Sequence, residues 1–176
     1  MAGDVEAVLG LLDTDILQGI RKLKYERAFF VDPVYGEVIW QGLGTEQAVG
    51  VPDAERLANT VMIHNHPNSD GLDNSFSGAD LGTTYDLKLR AIVAVTLNWV
   101  HVLARPAGGS WSVLGIPKKL ITEMDKRARS CPTEKEMAAL AELMGGTYAK
   151  VPLDALLGGA NFVAPSEGPA RIVCLN

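Results

Sequence analysis

His64 and His66 stand one residue apart at the end of the apolar run Val61-Met62-Ile63, and Pro67 follows at once. Only three histidines occur in the chain, so two of them share this spot. Side chains at i and i+2 of a strand point to one face, so both imidazoles could meet a single ion while Asn65 points away. Two imidazoles and one carboxylate make a catalytic zinc set that leaves the fourth tetrahedral position to water. Asp80 is the best third ligand, because a helix that begins just beyond the loop can return it to the strand end. Such a set supplies a Lewis acid and lowers the pKa of water from about 15.7 to about 7. That water still needs a base to take its proton and hand it to a leaving group. Glu37, on the preceding hairpin, is the candidate, with Glu46 and Glu55 as fallbacks. Ser77 could donate its hydroxyl proton to a developing oxyanion. A hydroxyl donates and accepts at once, so that role is compatible with capping a helix.

His64-Asn65-His66-Pro67 followed by Ser77-x-x-Asp80 resembles the JAMM motif (MPN-plus, or JAB domain) of zinc metallopeptidases. The stretch Glu37-Val38-Ile39-Trp40-Gln41-Gly42 is similar to the glutamate-bearing strand of RadC-type members, which also use His-Asn-His-Pro. The resemblance spans residues 26–115. It implies zinc held by His64, His66 and Asp80, Glu37 as general acid/base, and Ser77 as oxyanion donor. It further implies a cytidine-deaminase-like α/β/α sandwich. The activity implied is hydrolysis of a peptide or isopeptide bond after the extended C-terminal tail of a ubiquitin-like protein. The alternative is a non-proteolytic JAMM-like or RadC-like binding module. Residues 68–76 form a longer spacer than the family's usual one, which keeps Asp70 and Asp73 open as ligands in place of Asp80. Only Asp80 keeps the S-x-x-D register.

The elements that must position these groups are read from periodicity and turn chemistry. Residues 4–24 carry apolar side chains at helical spacing, with acids early and Arg21, Lys22 and Lys24 late, which predicts one helix. Residues 26–41 predict a β-hairpin around Asp32-Pro33-Val34-Tyr35-Gly36, and residues 53–59 a short helix. Thr60 to Ile63 predicts a buried strand that ends at the histidines, and Ser77 with Asp80 opens a helix through a capping box. Ala91–Val95, Trp99–Ala104 and Ser110–Leu114 predict further strands. Helices follow at 118–130 and 133–144, the second stopped by Gly145-Gly146, and a last strand is possible at 171–175. The expected class is α/β, a sandwich on a mixed sheet. The expected organisation is an N-terminal helix (1–25) packed on the core, a catalytic core (26–115), and a C-terminal helical extension (116–176) of the same domain.

Composition bounds the alternatives. A length of 176 residues, with 47% hydrophobic and 21% charged side chains, suits one globular domain. A net charge of −5 gives no electrostatic footprint for nucleic acid or an anionic membrane. Cys131 and Cys174 form neither a metal knuckle nor a C-x-x-C pair. The acidic N-terminus lacks the basic region of a secretory signal, and no apolar run is long enough to span a bilayer, so a cytoplasmic protein is expected. His101, amid apolar residues, reads as structural, and Trp40, Trp99 and Trp111 as packing. Asp70-Gly71-Leu72-Asp73-Asn74 lacks the pattern of a calcium loop. A dispersed HNH nuclease motif does not match consecutive His-Asn-His, and the H-x-E and P-C-x-x-C of zinc deaminases are absent.

Overall fold

The computed structural model describes residues 2–45, 50, 54–67, 75–112 and 134–158. The apolar runs become strands. β1 (Arg27–Val31) and β2 (Val38–Leu43) form the expected hairpin, closed by a turn in which the Asp32 carboxylate accepts from the backbone of Val34 and Tyr35 and Gly36 takes a φ of 71°. β3 (Val61–Asn65), β4 (Ala91–Val95) and β5 (Trp99–Ala104) follow, and β6 (Thr147–Pro152) completes the set. Among the described residues they join in one sheet of order β2-β1-β3-β4-β5-β6, in which only the β3–β4 pair is parallel.

The parallel pair requires a crossover, which α3 (Gly78–Asp86) provides. β3 and β4 are buried along their full length, as a central pair covered on both faces should be. One face of the sheet packs Phe29, Val61, Ile63, Val93 and Val102 against α1 (Ala2–Leu9), α2 (Thr14–Ile20) and α5 (Leu153–Leu157). The other packs Phe30, Met62, Ile92 and Leu103 against α3 and α4 (Glu134–Leu143). The result is the expected α/β class, in three layers around a mixed sheet. His64 lies on the α3 face, because it shares strand parity with Met62.

Several expectations need correction. Residues 4–24 make two helices, not one. After Leu9 the chain turns at Gly10 and Leu11, and Asp13 restarts it as an N-cap whose carboxylate accepts from the backbone of Asp15 and Ile16. Residues 110–112 do not form a strand; Ser112 instead donates its backbone N–H to Met144 at the end of α4. The C-terminal segment is not purely helical. Gly145 (φ 77°) ends α4 and the chain re-enters the sheet as β6. Residues 53–59 shrink to a single 3-10 turn, Ala54–Leu57. The helix expected at 118–130, the final strand at 171–175 and both cysteines lie outside the described residues. Among the described residues, no helix is long and apolar enough to cross a membrane.

Candidate metal centre

The sheet delivers His64 and His66 to one point. His64 pairs in register with Ala28 on one side and Ala94 on the other. Two small neighbours in the same row leave room for an imidazole that is itself fully buried. His66 lies one residue beyond the end of β3, yet its backbone N–H donates to the Val95 carbonyl at 3.0 Å. That bond prolongs the ladder and keeps His66 on the face of His64.

α3 delivers the third group. Ser77 is its N-cap: the Ser77 Oγ accepts from Asp80 N at 3.1 Å, and Asp80 Oδ2 accepts from Ser77 N at 2.7 Å. This reciprocal box satisfies two N–H groups that a helix start leaves open. It also fixes the Asp80 carboxylate over the first turn. Its Oδ1 then lies 3.1 Å from His64 Nε2, and its Oδ2 lies 3.3 Å from His66 Nε2. The two Nε2 atoms are 2.9 Å apart.

Imidazole nitrogens and carboxylate oxygens this close are held by ring N–H protons or by a cation between them. The residues fit a metal ion. A tetrahedral zinc with bonds of about 2.0–2.1 Å has ligand edges of about 3.3–3.4 Å, near the observed separations. His64, His66 and Asp80 form a group that could hold a metal ion. Burial alone would raise the Asp80 pKa, but the charges and hydrogen bonds of His64 and His66 outweigh it and hold the carboxyl well below its usual range. Asp80 therefore offers an anionic carboxylate to whatever the group holds. The outward nitrogen of His64, Nδ1, is buried without a partner among the described residues.

Ser77 is where the sequence placed it, although its hydroxyl is engaged: Oγ donates to Asp80 Oδ2 at 2.8 Å. Glu37 is not at this site. It sits in the exposed turn of the first hairpin, beside Val38, and Val38 pairs with Val31, which pairs with Val61. Val61 precedes His64 by three residues, about 10 Å of strand. Because β1 runs antiparallel to β3, the turn after β1 lies at the far end of the sheet from the histidines.

The same topology brings the start of β1 to the site, and with it Glu26. Two residues before Ala28, it shares the face of His64, and it is 8% exposed. Burial raises its pKa; His64 and His66 lower it and Asp80 raises it, with burial the largest effect. Glu26 is the carboxylate the sequence reading missed. Its signal was available: in an antiparallel pair the group opposite the end of one strand comes from the beginning of the other. Of the fallback bases, Glu55 is exposed on the 3-10 turn, and Glu46 lies outside the described residues, as do Asp70 and Asp73. His101 is buried, its Nδ1 bonded to the Tyr148 hydroxyl at 2.8 Å, in keeping with a structural role. Trp111 is buried and donates its indole N–H to the Leu89 carbonyl.

Comparison of the chain with protein-family models, with curated proteins and with solved structures returned no match.

Proposed function

We propose that the protein is a zinc-dependent metallopeptidase or isopeptidase of JAMM type, acting after the extended C-terminal tail of a ubiquitin-like protein. The observation that carries this reading is the convergence of His64, His66 and Asp80 within 3.3 Å beside a buried glutamate. The order H-x-H-P then S-x-x-D, with its resemblance to the JAMM motif, supplies the reaction class and substrate. In this reading His64, His66 and Asp80 hold the zinc. When bound, zinc supplies a Lewis acid and acidifies water from a pKa of about 15.7 towards about 7. Glu26, not Glu37, is the general acid/base. A carboxyl whose proton affinity is raised by burial is suited to take a proton at neutral pH and return it to the departing amine. Ser77 turns its hydroxyl from Asp80 Oδ2 towards the oxyanion, while Ser77 N continues to hold that oxygen.

The test is zinc titration together with hydrolysis of a panel of ubiquitin-like fusions by wild type, Glu26→Gln and Glu37→Gln. The expected result is stoichiometric zinc in all three, cleavage by wild type, a fall in kcat of about 10²–10⁴-fold for Glu26→Gln, and an unchanged rate for Glu37→Gln. A chain that takes up no zinc overturns the metal site. Zinc without hydrolysis of any fusion leaves a JAMM-like binding module instead. Loss on Glu37→Gln with retention on Glu26→Gln reverses the assignment of the base.

A further inference from the structure

The residue between the two histidines has no place in the chemistry described above, yet it is 1% exposed and both ends of its amide are used. Asn65 Oδ1 accepts from the backbone N–H of Arg27 at 2.8 Å, and Asn65 Nδ2 donates to the carbonyl of Tyr25 at 3.1 Å. A backbone N–H can only donate and a carbonyl only accept, so these partners fix which way the amide points. They flank one residue, Glu26.

The β1–β3 ladder explains why a side chain is needed there. Its last backbone pair is Ala28 with His64. One step further, Arg27 and Asn65 would face each other, and the Asn65 side chain takes the Arg27 N–H in place of a main-chain carbonyl. On its other edge Glu26 is held by β2's continuation: Glu26 N donates to Thr45 O and Gly44 N donates to Glu26 O, both at 2.8 Å. Four hydrogen bonds therefore immobilise the backbone at and around Glu26, two of them from Asn65. These bonds fix the direction in which the Glu26 side chain leaves the backbone, on the face of His64 and close enough for His64, His66 and Asp80 to act on its charge.

We propose that Asn65 is a positioning residue: its carboxamide fixes the β1 entry so that the Glu26 carboxylate is aimed at the centre formed by His64, His66 and Asp80. This rests on the reading of Glu26 as base, and it accounts for an asparagine between two ligands on chemical grounds. Histidines at i and i+2 require only that the middle residue point to the opposite face, which almost any side chain does. An amide that offers one acceptor and one donor at strand spacing is a narrower requirement.

The experiment compares zinc-loaded wild type, Asn65→Ala and Asn65→Asp, alone and combined with Glu26→Gln. Aspartate keeps an acceptor for Arg27 N, sets a second oxygen against Tyr25 O, and stands in should Asn65→Ala fail to fold. The expected result is a kcat loss of about 100-fold for Asn65→Ala, as for a misplacement of about 1 Å, with KM and zinc stoichiometry retained. Asn65→Asp should fall between. In the Glu26→Gln background, Asn65→Ala should cost nothing more, because both substitutions remove one function. Equal losses in the two backgrounds, or loss of zinc, overturn the proposal. A readout independent of turnover is the crystal structure of each variant, zinc-loaded or zinc-free. The Glu26 carboxylate should shift by about 1 Å relative to a ligand triad that stays in place. An unmoved Glu26, or a triad that moves with it, also overturns the proposal. Should wild type bind no zinc or cleave no fusion, the proposed function falls, while the displacement of Glu26 against the two histidines still decides the role of Asn65.

Discussion

The two walls of the site are held in different ways. The α3 wall is local: Ser77 and Asp80, three residues apart, bind each other's backbone, and the same carboxylate then faces the histidines. The β1 wall is remote: Glu26 lies 38 residues before His64 in sequence and is brought to it by the antiparallel register, with its flanking backbone bonded to the Asn65 amide. Their carboxylates also carry opposite perturbations, Asp80 lowered by two imidazoles and Glu26 raised by burial. One wall favours a charged carboxylate, the other a protonated one.

The sharpest way to break this contrast is to remove each carboxylate and follow the metal. Asp80→Ala deletes the proposed third ligand and the reciprocal half of the helix cap. Zinc affinity, measured by competition with a chelator, should fall by more than the roughly 10–100-fold that loss of an outer hydrogen-bond partner costs. Glu26→Gln should leave zinc affinity near that of wild type. Equal losses would place Glu26 among the ligands and end the distinction between the walls.

The contrast also explains what was legible in the sequence. His64, His66, Ser77 and Asp80 were readable because strand parity and the capping box act over two or three residues. The strands β3, β4 and β5 were readable because continuous apolar runs leave few alternatives. The carboxylate nearest the histidines is hard to read from sequence because choosing between Glu26 and Glu37 depends on which end of a hairpin meets the third strand, a long-range fact. Glu37 stands beside the RadC-like string Val38-Ile39-Trp40-Gln41-Gly42, whereas Glu26 is placed only by antiparallel geometry. β6 was missed for a related reason: its segment, Thr147-Tyr148-Ala149-Lys150-Val151-Pro152, is only partly buried and its pattern is weak until β5 stands beside it. Likewise a continuous helical period hid the break at Gly10, where Asp13 offers a better start than a longer helix.

A second test uses pH and should give effects of opposite sign. Glu26 has its folded pKa above the unfolded value of about 4.3. Below that value it is protonated in both states and costs nothing, and as pH rises through the folded pKa the buried charge becomes a penalty. Asp80 has its folded pKa below the unfolded value of about 3.9. It contributes stability above that value, which is lost as pH falls through the folded pKa. In urea unfolding of the zinc-free protein from about pH 3 to pH 6, Glu26→Gln should gain on wild type as pH rises, whereas Asp80→Asn should lose. Curves that diverge in the same direction would mean that one of the two carboxylates sits in a different environment from that described.

The smallest effect separates the two roles of Ser77 on the local wall. Ser77→Ala removes the acceptor for Asp80 N and the donor to Asp80 Oδ2 together. Loss of a serine N-cap costs about 1 kcal/mol, which for a chain of this size lowers Tm by about 2–4 °C. Zinc affinity should fall by about tenfold, at the low end for an outer partner, because Ser77 N still holds the same oxygen. Glycine is nearly as good an N-cap, within a few tenths of a kcal/mol, but carries no hydroxyl. Ser77→Gly should therefore keep most of the wild-type Tm while losing zinc affinity as Ser77→Ala does, and both variants should lose turnover with the oxyanion donor. If Ser77→Gly is wild-type in all three measurements, Ser77 serves the helix alone, and the oxyanion donor must come from elsewhere at the site.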